Sequence, residues 1–248
     1  MLEFPGMDAL PASGSRIPFR DAGGEGAIVF DPARVRQAGP ALFEPPVGNL
    51  APKGRGHAWF VDGDYGAAVL KHYRRGGAMA RLSRASYLWL GERRVRAIAE
   101  FALLGRLRSL GLPVPAPLAA SYRRRGLAYR AALLVERIQP AASFADIVCR
   151  QPEAAPWDRV GTAIGRCHAR GARHADLNAN NVLIDGAGVA WIIDWDKGCI
   201  ERGPGDWCAG VLDRLERSLR KECAGVPAAA LAEGMRALRI AHDRAVAA

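Results

Sequence analysis

Between His174 and Asp196 a polar segment runs directly into two short apolar runs. The polar part is His174-Ala-Asp-Leu-Asn-Ala-Asn-Asn181; the runs are Val182-Leu-Ile-Asp185 and Val189-Ala-Trp-Ile-Ile-Asp194, joined by Gly186-Ala-Gly188. Two β-favouring runs around a glycine turn read as a hairpin, so a polar loop must feed a small antiparallel element. Helical patterns flank it. Val160, Ile164, Cys167 and His168 share one face of a predicted helix over 157–171, and helices are also predicted over 143–150, 206–222 and 227–246.

The first half reads differently. His57–Val61 and Ala67–Tyr73 are apolar runs around the turn Asp62-Gly-Asp-Tyr-Gly66 and predict a hairpin. Residues 74–86 read as a basic loop, and 87–110 as a helix ended by Gly111 and Pro113. Pro113, Pro115 and Pro117 predict an extended linker. Ser121–Tyr122 and Leu127–Ile138 predict a second hairpin around Arg123-Arg-Arg-Gly126. The expected fold is α+β, with an irregular extension over 1–45 that holds at most one or two short strands, a β-rich lobe over 46–139 and a mainly helical lobe over 140–248.

Of 248 residues, 50% are hydrophobic and 24% charged, which suits a buried core and excludes a disordered chain. The net charge is +10, and all of the excess lies in residues 1–140. Such a field attracts phosphorylated or anionic partners. Only four of the 35 basic residues are lysines (Lys53, Lys71, Lys197, Lys221). Codon bias in a GC-rich genome explains that skew. The five cysteines, Cys149, Cys167, Cys199, Cys208 and Cys223, contain no Cys-x-x-Cys pair, so neither a zinc site nor a disulfide framework is expected and a reducing compartment fits. No signal-peptide pattern opens the chain, and no stretch approaches the ~18 apolar residues of a spanning helix. A cytoplasmic protein, soluble or peripheral on a membrane, is expected.

The chemistry-bearing residues suit phosphoryl transfer. That reaction needs a carboxylate beside the attacking hydroxyl and separate oxygen ligands for Mg²⁺ on the triphosphate. Asp176 lies in the polar loop, Asn181 follows in the same loop, and Asp194 ends an apolar strand. Lys71, in an apolar strand, can hold phosphates; Glu100 on the next helix can fix it, with Glu92 as a competitor. Gly54-Arg-Gly56 can let backbone N–H groups approach phosphate oxygens.

The loop His174–Asn181 resembles the catalytic loop of the protein-kinase-like superfamily, in its His-x-Asp-Leu-Asn form, and Ile193-Asp-Trp-Asp-Lys-Gly198 resembles its metal-binding segment. With Leu70-Lys-His-Tyr-Arg-Arg-Gly-Gly77, the Ser83–Trp89 segment and Gly111-Leu-Pro-Val-Pro115, the chain is similar over roughly 50–220 to the lipopolysaccharide kinase family of Gram-negative bacteria. The resemblance implies a two-lobed kinase fold using ATP and Mg²⁺. The acceptor it implies is the 3-deoxy-octulosonate (Kdo) sugar of a Kdo–lipid A glycolipid, at the 4-hydroxyl. Asp176 would be the base and Asn178 would contact the transferred phosphate. Asn181 and Asp194 would bind Mg²⁺; Lys71, positioned by Glu100, would hold phosphates; the segment from Glu136 to Ile138 would meet adenine. The implied location is the cytoplasmic face of the inner membrane, in lipopolysaccharide inner-core synthesis. The glycine loop is short, Trp195-Asp196 replaces Phe-Gly, and no long activation segment or Ala-Pro-Glu follows, which argues against a protein substrate.

Plainer readings stand beside these. Asp176 alone is a possible turn residue, Asp185 a strand-end cap, and Asp196 either a second metal ligand or a surface residue. Lys71 alone can snorkel from an edge strand. His174 and His168 read as structural. Residues 71–96 hold eight basic residues, including Arg74, Arg75, Arg81 and Arg84, against Glu92 alone. That run is either a solvated face or a site for phosphorylated lipid and the anionic leaflet, where each basic residue adds ~1 kcal/mol. The rival functions are a heptose kinase, another small-molecule phosphotransferase, a dead scaffold, and a nucleic-acid-binding module. The last is disfavoured by the intact Lys71, Asp176, Asn181 and Asp194 set, so no nucleic-acid partner is expected.

Overall fold

The structure is a computed structural model that describes residues 14–46, 58–73 and 87–248. Lys53, Gly54, Gly56, Arg74, Arg75, Arg81 and Arg84 lie outside the described residues. The chain divides into two compact units, Met1–Arg106 with Ala116–Arg137, and Leu107–Pro115 with Ile138–Ala248. The fold is α+β, with an antiparallel sheet in the first unit and mainly helices in the second.

In the first unit β1 (Ser15–Asp21) and β2 (Gly24–Phe30) form a hairpin, β3 (Ala58–Gly63) and β4 (Gly66–His72) a second, and β5 (Tyr87–Leu88) is a short edge piece. After α1 (Arg96–Ser109) come β6 (Pro117–Arg125) and β7 (Ala128–Glu136). The described strands make one antiparallel sheet in the order β1-β2-β6-β7-β4-β3, with β5 also paired to β7. Its core contains Ile28, Phe30, Leu70, Leu118 and Leu134, joined by Val35 and Phe43. Full burial of each large side chain contributes about 1.5–3 kcal/mol.

Two expectations are corrected here. The short strands expected before residue 45 are two, β1 and β2, and they are part of the first unit's sheet and not of a separate extension: β2 pairs with β6 from Glu25–Arg124 to Phe30–Ala119, and Ala27, Ile28 and Val29 are buried. The apolar run Ala27–Phe30 is short, and pairing of β2 on both sides supplies what propensity lacks. The helix predicted from 87 begins only at Arg96. Tyr87 and Leu88 pair with Tyr129 and Ala128, and Gly91 at φ 98° breaks the path before a 3₁₀ turn over Glu92–Arg94.

The second unit contains β8 (Ala141–Ser143), α2 (Phe144–Arg150), α3 (Trp157–Ala169), β9 (Ala172–Arg173), β10 (Val182–Asp185), β11 (Ala190–Ile192), β12 (Cys199–Ile200), α4 (Trp207–Glu222) and α5 (Ala228–Ala247). Ser143 caps α2 by accepting the Asp146 N–H at 3.1 Å. β10 is flanked by β11 and β8, both antiparallel. The backbones of α3 and α5 approach closely because Gly161 and Gly165 lack a Cβ; one would collide with the carbonyls of Leu238 and His242. Residues 107–115 belong to this unit: Ile192 N–H donates to Pro113 O at 2.9 Å, and Arg166 donates to Gly111 O at 3.0 Å.

Cys149 and Cys223 are joined by a disulfide across a sequence separation of 74, contrary to the expectation of none. Spacing rules search for nearby cysteines, and this pair meets only because the end of α2 packs by the end of α4. Among the described residues no helix is long and apolar enough to cross a membrane.

Candidate active site

Lys71, on β4, lies opposite Leu133 of β7 and Ala58 of β3, so its backbone is anchored on both sides. Its Nζ lies 3.2 Å from Oε2 of Glu100 on α1, and Glu100 is 4% exposed. The Tyr73 hydroxyl donates to the same carboxylate oxygen, and Lys71 Nζ also lies 4.9 Å from the Tyr73 ring centroid. A buried carboxylate is costly unless partnered, and here two donors satisfy it. Glu92, the competitor for Lys71, is bonded instead to Arg16 at 2.9 Å and to the Tyr122 hydroxyl at 2.7 Å. Those partners hold its carboxyl below the usual range, chiefly through Arg16.

Glu136 ends β7 with both carboxylate oxygens engaged. Arg34 reaches Oε1 at 3.2 Å and the Ala116 N–H donates to Oε2 at 3.1 Å. The carboxylate therefore braces the strand end.

In the second unit the polar loop is held from several sides. His174 is 3% exposed, with its ring edge-on to Trp195 at 4.9 Å. Its Nδ1 accepts the Asp176 N–H at 3.1 Å and its Nε2 lies 3.0 Å from Ile193 O. Those partners select the neutral Nε2–H tautomer, and burial pushes the imidazole below its ordinary pKa. His174 thus ties the start of the loop to the strand end, the structural role its burial requires.

Asn178 caps the 3₁₀ turn Ala179–Asn181: its Oδ1 accepts the Asn180 N–H at 3.0 Å and its Nδ2 donates to Asp176 O at 3.1 Å. Asn181 Nδ2 donates to the same carbonyl at 3.1 Å. Asn181 O accepts the Ile193 N–H at 2.9 Å, which places Asn181 beside the residue preceding Asp194. Asp194 is exposed and has φ 62°, a backbone state uncommon outside glycine, Asn and Asp. Asp185 takes N–H groups of Ala187 and Val189 and the Trp191 indole at 2.8–2.9 Å and so caps the β10–β11 turn, which holds its carboxyl low, the Trp191 bond foremost.

Asp176 is the exposed carboxylate of this loop. Arg214 of α4 donates to its Oδ1 at 2.9 Å, and one helical turn on, Ser218 Oγ accepts the Ala179 N–H at 3.1 Å. α4 therefore grips the loop at two points. Tyr73, Arg214 and Ser218 were missed in the sequence. Arg214 and Ser218 share a face of a predicted helix, but nothing in their spacing says what that face meets.

The donor set suits Mg²⁺. Asn181, with its amide N–H spent on Asp176 O, keeps its oxygen for a cation, and Asp194 adds a carboxylate. Among the described residues there is no cluster of three or more His, Cys, Asp or Glu able to hold a metal. Mg²⁺ on a nucleotide needs only one or two protein oxygens, because phosphates and waters complete its shell.

Residues 48–234 match the model of the lipopolysaccharide kinase (Kdo/WaaP) family. The chain is 48% identical over 223 residues to 3-deoxy-D-manno-octulosonic acid kinase of Stenotrophomonas maltophilia strain K279a, covering 87% of this chain and 88% of that protein. It is 47% identical over 220 residues, with the same coverages, to the enzyme of that name from Xanthomonas campestris pv. campestris strain B100. A solved structure of WaaP in complex with acyl carrier protein shares 16% identity, with a TM-score of 0.46, over 81% of this chain and 88% of that one. The extent of the family match and the level of identity over most of each relative's length lead to one conclusion: the chain belongs to the lipopolysaccharide kinase (Kdo/WaaP) family.

Proposed function

We propose that this protein is an ATP-dependent kinase that phosphorylates the Kdo sugar of a Kdo–lipid A glycolipid, at the 4-hydroxyl, in lipopolysaccharide core synthesis. The observation that carries the reading is the Asp176 carboxylate. It is exposed, aimed by Arg214, and built into one loop with Asn181 beside the Asp194 segment.

Asp176 accepts the proton of the sugar hydroxyl as its oxygen bonds to the γ-phosphorus and the bond to the bridging oxygen breaks, releasing ADP. Asn181 and Asp194 hold Mg²⁺, which when bound neutralises charge on the phosphate oxygens. Lys71, held in place by Glu100 and Tyr73, neutralises nucleotide phosphates, and Asn178 keeps a second N–H for the transferred group. The backbone after Glu136 meets adenine. Positioning and electrostatics supply most of the acceleration in such sites. The acceptor is lipid-anchored, so the protein works at the anionic inner-membrane surface, attracted by its basic first half.

The test is incubation of the purified protein with ATP, Mg²⁺ and Kdo–lipid A, read by mass spectrometry, with a heptosylated core as competitor. One added phosphate on the Kdo substrate is expected. Transfer to the heptosylated core alone makes it a heptose kinase.

A further inference from the structure

We infer that this protein enters an anionic lipid leaflet through three exposed leucines, Leu88, Leu90 and Leu127, at one end of the first unit's sheet. The inference deepens the membrane reading given above and rests on it.

Tyr87-Leu88-Trp89-Leu90 is a run of four large apolar residues. Extended chain sends alternate side chains to opposite faces, so only one pair can be packed. The packed pair is the aromatic one. Tyr87 stacks on Tyr129 at 5.5 Å, and its hydroxyl accepts from Arg96 at 2.7 Å. Trp89 lies against Tyr122 at 5.0 Å and edge-on to Tyr129 at 6.1 Å. Leu88 and Leu90 are left 55% and 58% exposed. Leu127, in the β6–β7 turn, is 73% exposed, and its carbonyl accepts the Trp89 N–H at 2.8 Å. The three leucines therefore gather on adjoining backbone, set there by the sheet and not by a loose tail. Three neighbouring leucines in water call for an occupant.

Charge identifies it. Arg124 and Arg125 precede Leu127, and Arg93 and Arg94 follow Leu90. The nearby acids are Asp21, paired with Arg123 at 2.6 Å, Glu92, paired with Arg16 at 2.9 Å, and Glu25, shared by Arg20 at 3.0 Å and Arg124 at 3.6 Å, so the arginines outnumber them. Arg124 lies over the Trp89 ring at 5.0 Å. A groove of about 420 Å³ lined by Arg16, Arg20, Arg124, Glu25, Trp89 and Tyr122 opens alongside, with three guanidinium groups to one carboxylate and an aromatic wall, which suits a phosphate headgroup. A second copy placed on this surface by twofold symmetry would set the same arginines against one another. An anionic leaflet attracts the arginines and takes the leucines into its acyl boundary.

The experiment is co-sedimentation of the full chain with vesicles of phosphatidylcholine alone or mixed with phosphatidylglycerol. The wild type is compared with L88S/L90S/L127S and with R124Q/R125Q. We expect the wild type to bind mixed vesicles. The leucine variant should bind at least tenfold more weakly at an unchanged melting temperature, and the arginine variant should lose the salt-sensitive part of binding. If the triple variant does not fold, L127S alone must still weaken binding. Equal binding by wild type and leucine variant overturns this surface while leaving membrane attachment intact. Failure of the wild type to bind either vesicle overturns the membrane reading as well. A dimer that the leucine substitutions dissociate reassigns the face to a second copy and also overturns the proposal.

Discussion

Arg214 on α4 and Asp176 in the polar loop are 38 residues apart and meet at 2.9 Å, the guanidinium donating to the carboxylate. Both side chains are half exposed or more, at 50% and 70%, so the pair adds at most about 1 kcal/mol to stability. Its value is directional. Arg214→Ala should lower kcat at least fivefold while leaving the KM for ATP and the melting temperature unchanged, and Arg214→Lys should restore part of the loss. Asp176→Asn should cost at least ~100-fold in turnover. Steady-state kinetics with circular dichroism as the folding control check both. A KM effect without a kcat effect would remove Arg214 from positioning the base.

Glu100 is buried between Lys71 and Tyr73, and its two partners should separate by experiment. Lys71→Met should abolish measurable ATP turnover and also destabilise the fold, by up to about 3 kcal/mol, because a buried carboxylate loses its cation. Tyr73→Phe removes one neutral donor to a charged group and should cost about 1–2 kcal/mol with a smaller change in KM for ATP. Urea unfolding and ATP titration read the two. Equal kinetic damage from both variants would make Tyr73 a phosphate-site residue in its own right.

His168 and His242 meet edge-on between α3 and α5, with Nδ1 of the first 2.8 Å from Nε2 of the second. Because His242 Nδ1–H faces Asp243 at 2.8 Å, His242 Nε2 is the acceptor and His168 the donor. Burial, followed by the neighbouring His242, lowers the His168 pKa from 6.5 to about 3. The unfolded chain therefore takes up a proton below 6.5 that the native state refuses. Stability from this group is full above pH 6.5 and falls by ~1.4 kcal/mol per pH unit toward 3. His168→Asn should flatten the slope of unfolding free energy between pH 7 and pH 5. A slope unchanged by the substitution would place the proton uptake elsewhere.

The Cys149–Cys223 disulfide closes a long loop, so reduction should lower stability, with about 4 kcal/mol as the ceiling set by chain entropy. Cys149→Ser with Cys223→Ser should melt at the temperature of the reduced wild type and show no further response to reductant. A reductant-dependent shift surviving in the double variant would implicate another sulfur.

What could be read from the sequence was what acts over short distances along the chain. Asp176, Asn178 and Asn181 shape one another through bonds spanning two to five residues, so the polar loop carries its own conformation. Lys71 and Glu100 were also legible, since a strand followed by a helix brings a lone lysine and a glutamate into a recurrent pairing. Tertiary structure decided the rest. Arg34 on Glu136 is a contact across 102 residues, and Arg214 on Asp176 one across 38. The β1–β2 hairpin exists because β6 completes its hydrogen bonding, and Leu88 is exposed because Tyr87 and Trp89 won the packed face. Each of these depends on which partner surface is free once the others are buried, and neither periodicity nor spacing along the chain encodes that competition.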